Sequence, residues 1–268
     1  MKALFLKTIK EKMWLLIILC IVSILTLWLY ISLYPTFSKQ SGEYEKLLAS
    51  FPKELWEIFG LQDGNFSMST LEKFISVEMY SLLWPILSII FFISIGVGLI
   101  AGEIEKGTIE IILSLPISRI KAFLSKYLAG ATIIIILSFV SIYSVIPIAR
   151  ALNIAYNVET YHKLFLTGTL FCLSGFSVVM LLSTIFDKGK TILIGTGIYF
   201  MMYVITILSA LKDNLKDLQY FSFFHYLDAS RVLSENKLDE HSILVFSAVT
   251  IICTIIAVYI FHKRDITP

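Results

Sequence analysis

Charge is what this chain has least of. Only 16% of its 268 residues are Asp, Glu, Lys or Arg, against 57% hydrophobic, and mean hydropathy is +0.83. A water-soluble domain needs more polar surface than this to cover its exterior, so the composition excludes one and leaves a membrane domain. Cysteines are few. Cys20, Cys172 and Cys253 each stand inside an apolar run, which excludes a disulfide framework or thiolate metal cluster. His162, His225, His241 and His262 are isolated, and no pair has metal-ligand spacing on a helix. Nothing calls for a bound cofactor or a nucleic acid. A phosphate loop is also missing. Gly189-Lys190-Thr191 invites one, but Thr184 stands where its first glycine belongs, and an apolar run follows instead of a soluble helix.

What the chain does have is six long apolar runs, at about 13–34, 79–102, 127–149, 164–186, 191–211 and 242–261, none containing an ionisable Asp, Glu, Lys, Arg or His. Each is long enough to cross the hydrocarbon core, which takes roughly 20 residues. The first is too long for the hydrophobic part of a signal peptide. Tyr34-Pro35-Thr36-Phe37 after it offers no small-residue cleavage site, so it reads as a retained span. The pattern predicts an all-α, polytopic membrane protein of one domain, 1–268.

Basic residues orient it. Pieces 1–12, 103–126, 187–190 and 262–268 hold 12 Lys and Arg in 47 residues, whereas 35–78, 150–163 and 212–241 hold 10 in 88. Positive charge concentrates on the cytoplasmic side, so both termini are expected inside. The long outer segment 35–78 carries amphipathic patches at 44–48 and 55–59. Ser69 followed by Glu72 reads as a capping box opening a helix into the second span. The run 220–226 is dense in aromatics and fits either an interfacial belt or a segment dipping back into the outer leaflet.

The richest stretch lies between the second and third spans. Thr108 is placed to cap a short helix, with Glu110 favourable near its start. Ile109, Ile112 and Leu113 share a face, and Pro116 stops the helix. Ser118 then caps a helix running through Arg119, Lys121 and Lys126 into the third span. A short amphipathic helix at the cytoplasmic mouth rests on lipid or docks into a partner's groove. Its polar face is short and poor in Lys and Arg, which weakens the lipid reading. In the second span, Ser94, Gly98 and Gly102 recur every four residues. That face suits close helix packing within the chain or against a second subunit. Pro85 and Pro147 are candidate kinks.

Glu103, Gly107, Thr108, Glu110, Leu113, Ser114, Pro116, Ser118, Arg119 and Lys126 together resemble the signature of ABC-2-type permeases, the membrane subunits of ABC exporters. The ending His262-Lys263-Arg264-Asp265 and the run Phe224-His225-Tyr226-Leu227-Asp228 resemble the family too. The long first outer segment looks like the branch holding copper-cluster maturation and gliding-motility permeases. The resemblance implies a type V exporter-like permease fold in the cytoplasmic membrane. It implies that the helix at about 107–118 is a coupling helix seated in an ATPase subunit. It further implies two ATPase copies carrying ATP and Mg, and a second permease chain, identical or related. Glu103 either gates the inner mouth or forms a salt bridge there. Ion-coupled carriers keep an ionisable group near the midplane. These spans have none, which points to an external motor and to apolar or amphipathic cargo such as peptides, antibiotics or lipids. The alternative is a structural or sensing membrane subunit that transports nothing.

Overall fold

The computed structural model describes residues 1–39, 70–113, 116–211 and 213–264, and every regular element among them is helical. Helix α1 is Lys2–Lys39. Helix α2 (Leu71–Ile75) passes through a π-helical stretch, Ser76–Leu83, into α3 (Trp84–Leu99). Two short helices, α4 (Ala101–Glu105) and α5 (Thr108–Leu113), lead to α6 (Arg119–Tyr143) and its continuation α7 (Val145–Ala151). Helices α8 (Val158–Ile185) and α9 (Lys188–Leu211) form a tight hairpin. A 3-10 stretch, Asp213–Phe221, then α10 (Phe223–Tyr226) and α11 (Ala229–Glu235), precede α12 (Glu240–Lys263).

Five spans are continuous and apolar enough to cross a bilayer: Lys2–Ser38, Arg119–Ala151, Val158–Ile185, Lys188–Ser209 and Glu240–Lys263. The sixth is broken. Leu71–Ser81 and Trp84–Leu99 qualify only as a pair, bent by 44°. Pro85 explains the bend: it has no N–H to give the Ser81 carbonyl, and its ring crowds that carbonyl. The chain widens into the π stretch just before it, and the Trp84 N–H reaches back five residues to Met79. Ile100 (φ −122°, ψ −69°) then ends α3, so Ala101 and Gly102, expected in the second span, belong to α4. Pro147 divides the third span more gently at Ser144, between α6 and α7. The first twelve residues are not a loose tail. They are the beginning of α1.

Lipid tails are as apolar as leucine, so spans associate through close packing and hydrogen bonds rather than hydrophobic burial. Helix α8 is the axis of the bundle. Two-thirds of its most apolar window (67%) is buried, against 17% for α1 and α9 and 11% for α12. Small residues let the neighbours in. A Cβ at Gly175 would lie 2.5 Å from the Phe92 ring, one at Gly168 2.9 Å from Trp84, and one at Gly96 2.8 Å from Val179. Gly130 of α6 gives way to Phe176 and Leu99. Many hydroxyls in the apolar interior return to carbonyls or to each other. Ser177 bonds Leu173 (2.8 Å) and Tyr127 (2.7 Å), and Ser183 reaches the Gly96 carbonyl on α3 (3.1 Å). Tyr80 donates to the Ser141 carbonyl (2.9 Å), and the Trp84 indole donates to the Ser141 hydroxyl (3.0 Å). Gly175→Ala is expected to lower stability by about 1–3 kcal/mol through overpacking. Gly197→Ala, where a Cβ meets nothing within 4 Å, should be neutral or stabilising by up to about 1 kcal/mol. Thermal unfolding in detergent separates the two.

The two ends of the bundle differ in charge. At one end α1, α4, α5 and α6 meet through Leu4, Ile112, Ala122 and the Glu103–Lys126 ion pair. Arg119, Arg264, Lys188 and Glu105 join them there. The described residues of every piece expected inside thus converge on this terminal end. The opposite end gathers pieces expected outside. Tyr34 and Phe37 pack on Phe74, and Lys163 donates to the Asn236 carbonyl (2.8 Å). Ser69 lies outside the described residues, as do the patches at 44–48 and 55–59. The cap on α2 is Thr70, whose hydroxyl accepts from the Lys73 N–H (3.4 Å). Glu72 is not a capping-box partner. It is buried and accepts from the Asn157 N–H (2.7 Å) and the Tyr161 hydroxyl (3.5 Å). A carboxylate removed from water needs such donors, and here they come from the cap and the first turn of α8, 85 and 89 residues away. The aromatic run divides by burial. Tyr220 and Phe221 stay exposed, while Phe223 and Phe224 turn inward onto Tyr199, Phe246 and Phe171.

Candidate coupling site

Gly107 sets the geometry between α4 and α5. Its φ of +68° is left-handed, and its N–H closes α4 by bonding Ile104 (3.0 Å). Side chains resist this conformation, and glycine adopts it freely. Thr108 opens α5, but its hydroxyl donates to the Glu103 carbonyl (3.3 Å) instead of capping α5 as an acceptor. Ser118 does cap α6, accepting from the Lys121 N–H (3.3 Å).

The apolar face of α5 points the other way from the expected docking face. Ile109 is 1% exposed and Ile112 is 5% exposed. Ile112 packs with Leu4 of α1, Ala122 of α6 and Ile117, and Ile109 joins the main core. These two fasten α5 to its own chain. The outward surface consists of Gly107, Thr108, Glu110, Pro116 and Ser118, together with Ile111, which is 66% exposed. Ser114 lies outside the described residues, as does the side chain of Leu113. Ile111 was not among the expected residues. Apolar residues occupy both sides of this helix, and which side the chain itself covers depends on Leu4, more than a hundred residues earlier.

Below α5 lies a layer of ion pairs. Lys126 and Glu103 pair directly, with side chains 1% and 15% exposed. Such a pair is costly to desolvate and holds only while both partners stay. Lys12 reaches in from α1 toward Gly98, where a Cβ would sit 2.7 Å from its Nζ. Glu105 meets Lys188 at the α8–α9 turn (3.0 Å). In that turn the Asp187 carboxylate accepts from the Lys190 N–H (2.9 Å) and pairs with its ammonium (3.0 Å). Those contacts, the backbone bond first, hold the Asp187 carboxyl below its ordinary pKa.

Ser94, Gly98 and Gly102 do not combine into one helix contact within the chain. Ser94 is exposed, Gly98 faces Lys12, and Gly102 lies buried beside the Val97 carbonyl (3.4 Å from an added Cβ). Close helix approach falls instead on Gly96, Gly130, Gly168 and Gly175. Ser94 belongs to an uncovered face with Ile86 and Ile90 of α3. Helix α9 packs beside α3 through Tyr199 and Phe92 (centroids 4.9 Å apart) and leaves Leu193, Thr196, Gly197 and Phe200 exposed.

Five continuous apolar spans and a sixth, bent one, bundled around α8 with a buried ion pair near one end, define a multi-pass membrane protein. The chain belongs to the ABC-2 family transporter proteins, whose family model matches residues 3–266, nearly the whole length. It is accordingly a permease subunit of an ABC transporter, a membrane component that is not itself catalytic. The family implies association with an ABC ATPase and often with a second permease. Comparison with curated proteins finds no match.

Proposed function

We propose that this permease exports an amphipathic or hydrophobic molecule, a peptide, an antibiotic or a lipid-like compound, with energy from ATP and Mg bound by a separate ATPase. The terminal end faces the cytoplasm, and the protein resides in the cytoplasmic membrane. Two permease chains, identical or related, stand above two ATPase subunits. The outward surface of α5 and the turn after it, Gly107 to Arg119, is the part that the ATPase grips. The observation that carries this reading is an exposed Ile111 and Pro116 on a base that Ile109, Ile112 and Leu4 clamp to the bundle. A knob fixed in this way transmits force, whereas a loosely attached one absorbs it. Closure of the ATPase pair pushes α5, and α6 carries the movement along the bundle. The uncovered faces of α3 and α9 line the path between the two permease chains. Their apolar surface with scattered hydroxyls suits amphipathic cargo.

Co-expression with an ABC ATPase, purification and reconstitution in lipid nanodiscs and sealed vesicles provide the test. The expected result is an equimolar complex that hydrolyses ATP. A lipophilic fluorescent dye used as probe should stimulate hydrolysis and move across vesicles when ATP is supplied. A stable complex whose hydrolysis no amphipathic probe stimulates would instead support the non-transporting structural or sensing subunit. No complex at all would remove the reading.

A further inference from the structure

Two arginines at the terminal end are used in an unusual way. Arg119 is the first residue of α6. A cation there meets the positive end of the helix dipole, which is the unfavourable sign. Its guanidinium instead reaches across to the residue that caps the C-terminus of α12 and donates to the Arg264 carbonyl (2.6 Å). The guanidinium of Arg264 in turn donates to the Thr184 carbonyl (2.6 Å), in the last turn of α8. Both acceptors belong to the C-terminal ends of helices, where carbonyls lack intrahelical donors and the dipole favours positive charge. Thr184 is fully buried, and both bonds are partly buried. The links join positions 145 and 80 residues apart in sequence.

We propose that Arg264 is a positioning residue that delivers movement of the coupling segment to the axial helix of the bundle. This rests on the coupling reading above. Arg119 follows Ser118 directly and Pro116 by three residues, so displacement of the coupling segment reaches it early. Helix α6 alone would carry that displacement along one side of the bundle. The Arg119–Arg264–Thr184 strap extends it to α12 and to α8, which α3, α6, α9 and α12 all pack against. The ends of three spans then move as one body. Phe123 against Phe261 (5.5 Å between centroids) adds an apolar contact beside the strap.

The test uses the permease–ATPase complex in nanodiscs, with hydrogen exchange measured nucleotide-free and trapped with Mg-ATP and vanadate. In the parent complex, trapping should change exchange both at 119–126 and at 180–186. In Arg264→Ala, ATPase association and the change at 119–126 should persist. The change at 180–186 should shrink about tenfold, as expected for loss of one charge-assisted hydrogen bond. Arg264→Lys should restore part of it, since an ammonium still reaches one carbonyl. A full nucleotide-dependent change at 180–186 in Arg264→Ala overturns the proposal while leaving the coupling reading intact. Absence of any change at 119–126 in the parent overturns the coupling reading, and the proposal with it. Should Arg264→Ala not assemble, Arg264→Gln removes the charge at the same position, outside the surface the ATPase grips, and carries the same test.

Discussion

Glu103→Leu is expected to destabilise the permease by about 3–5 kcal/mol, the usual consequence of stripping one partner from a buried ion pair. The Lys126 side chain is 1% exposed and that of Glu103 is 15% exposed. Removing Glu103 therefore strands the more deeply buried charge. Lys126→Leu leaves a carboxylate that water can partly reach, so it should cost less than Glu103→Leu. The double variant should recover most of the loss, because replacing a whole buried pair with apolar side chains is often neutral or stabilising. Thermal unfolding in detergent, followed with a cysteine-reactive dye, checks the order. Single variants within about 0.5 kcal/mol of the parent would place the pair in the range of a surface salt bridge and remove it as the anchor of α4 on α6.

The second large effect separates neighbouring isoleucines. Ile112→Asp should give little folded protein, since it buries an unpaired carboxylate among Leu4, Ala122 and Ile117. Ile111→Asp should fold and unfold like the parent, yet weaken ATPase association roughly thirtyfold, the effect of losing one anchor worth about 2 kcal/mol. Size-exclusion profiles report folding, and titration of the ATPase onto nanodisc-held permease reports association. The reverse pattern, with Ile112→Asp folded but unable to bind and Ile111→Asp binding normally, would turn the docking face of α5 around.

Much of this architecture was legible in the sequence because the bilayer imposes simple rules. Long runs without charge became helices, and Ser118 caps where its spacing says it should. The rest depended on partners that periodicity does not show. Ser94, Gly98 and Gly102 share a spacing, but contact is decided by what stands opposite, and large rings stand opposite Gly168 and Gly175 instead. Glu72 looked like a local cap because its spacing from Ser69 is local. The donors that claim it are Asn157 and Tyr161. Helix α5 is the plainest case. Six residues cannot say which of two apolar sides their own chain will cover, and the answer came from Leu4 of α1, Ala122 of α6 and the main core.

The uncharged middle of the bundle also bears on how a permease of this kind would stand toward an electrical gradient. Between the ion pairs at one end and the Glu72 cluster at the other, the six apolar runs hold no formal charge. Moving one elementary charge through 100 mV is worth about 2.3 kcal/mol. Helices that carry none across present no gating charge for the field to act on. Under the export cycle proposed above, any voltage sensitivity would therefore have to arise from the charged groups at the two ends or from the passenger, and not from the interiors of the spans.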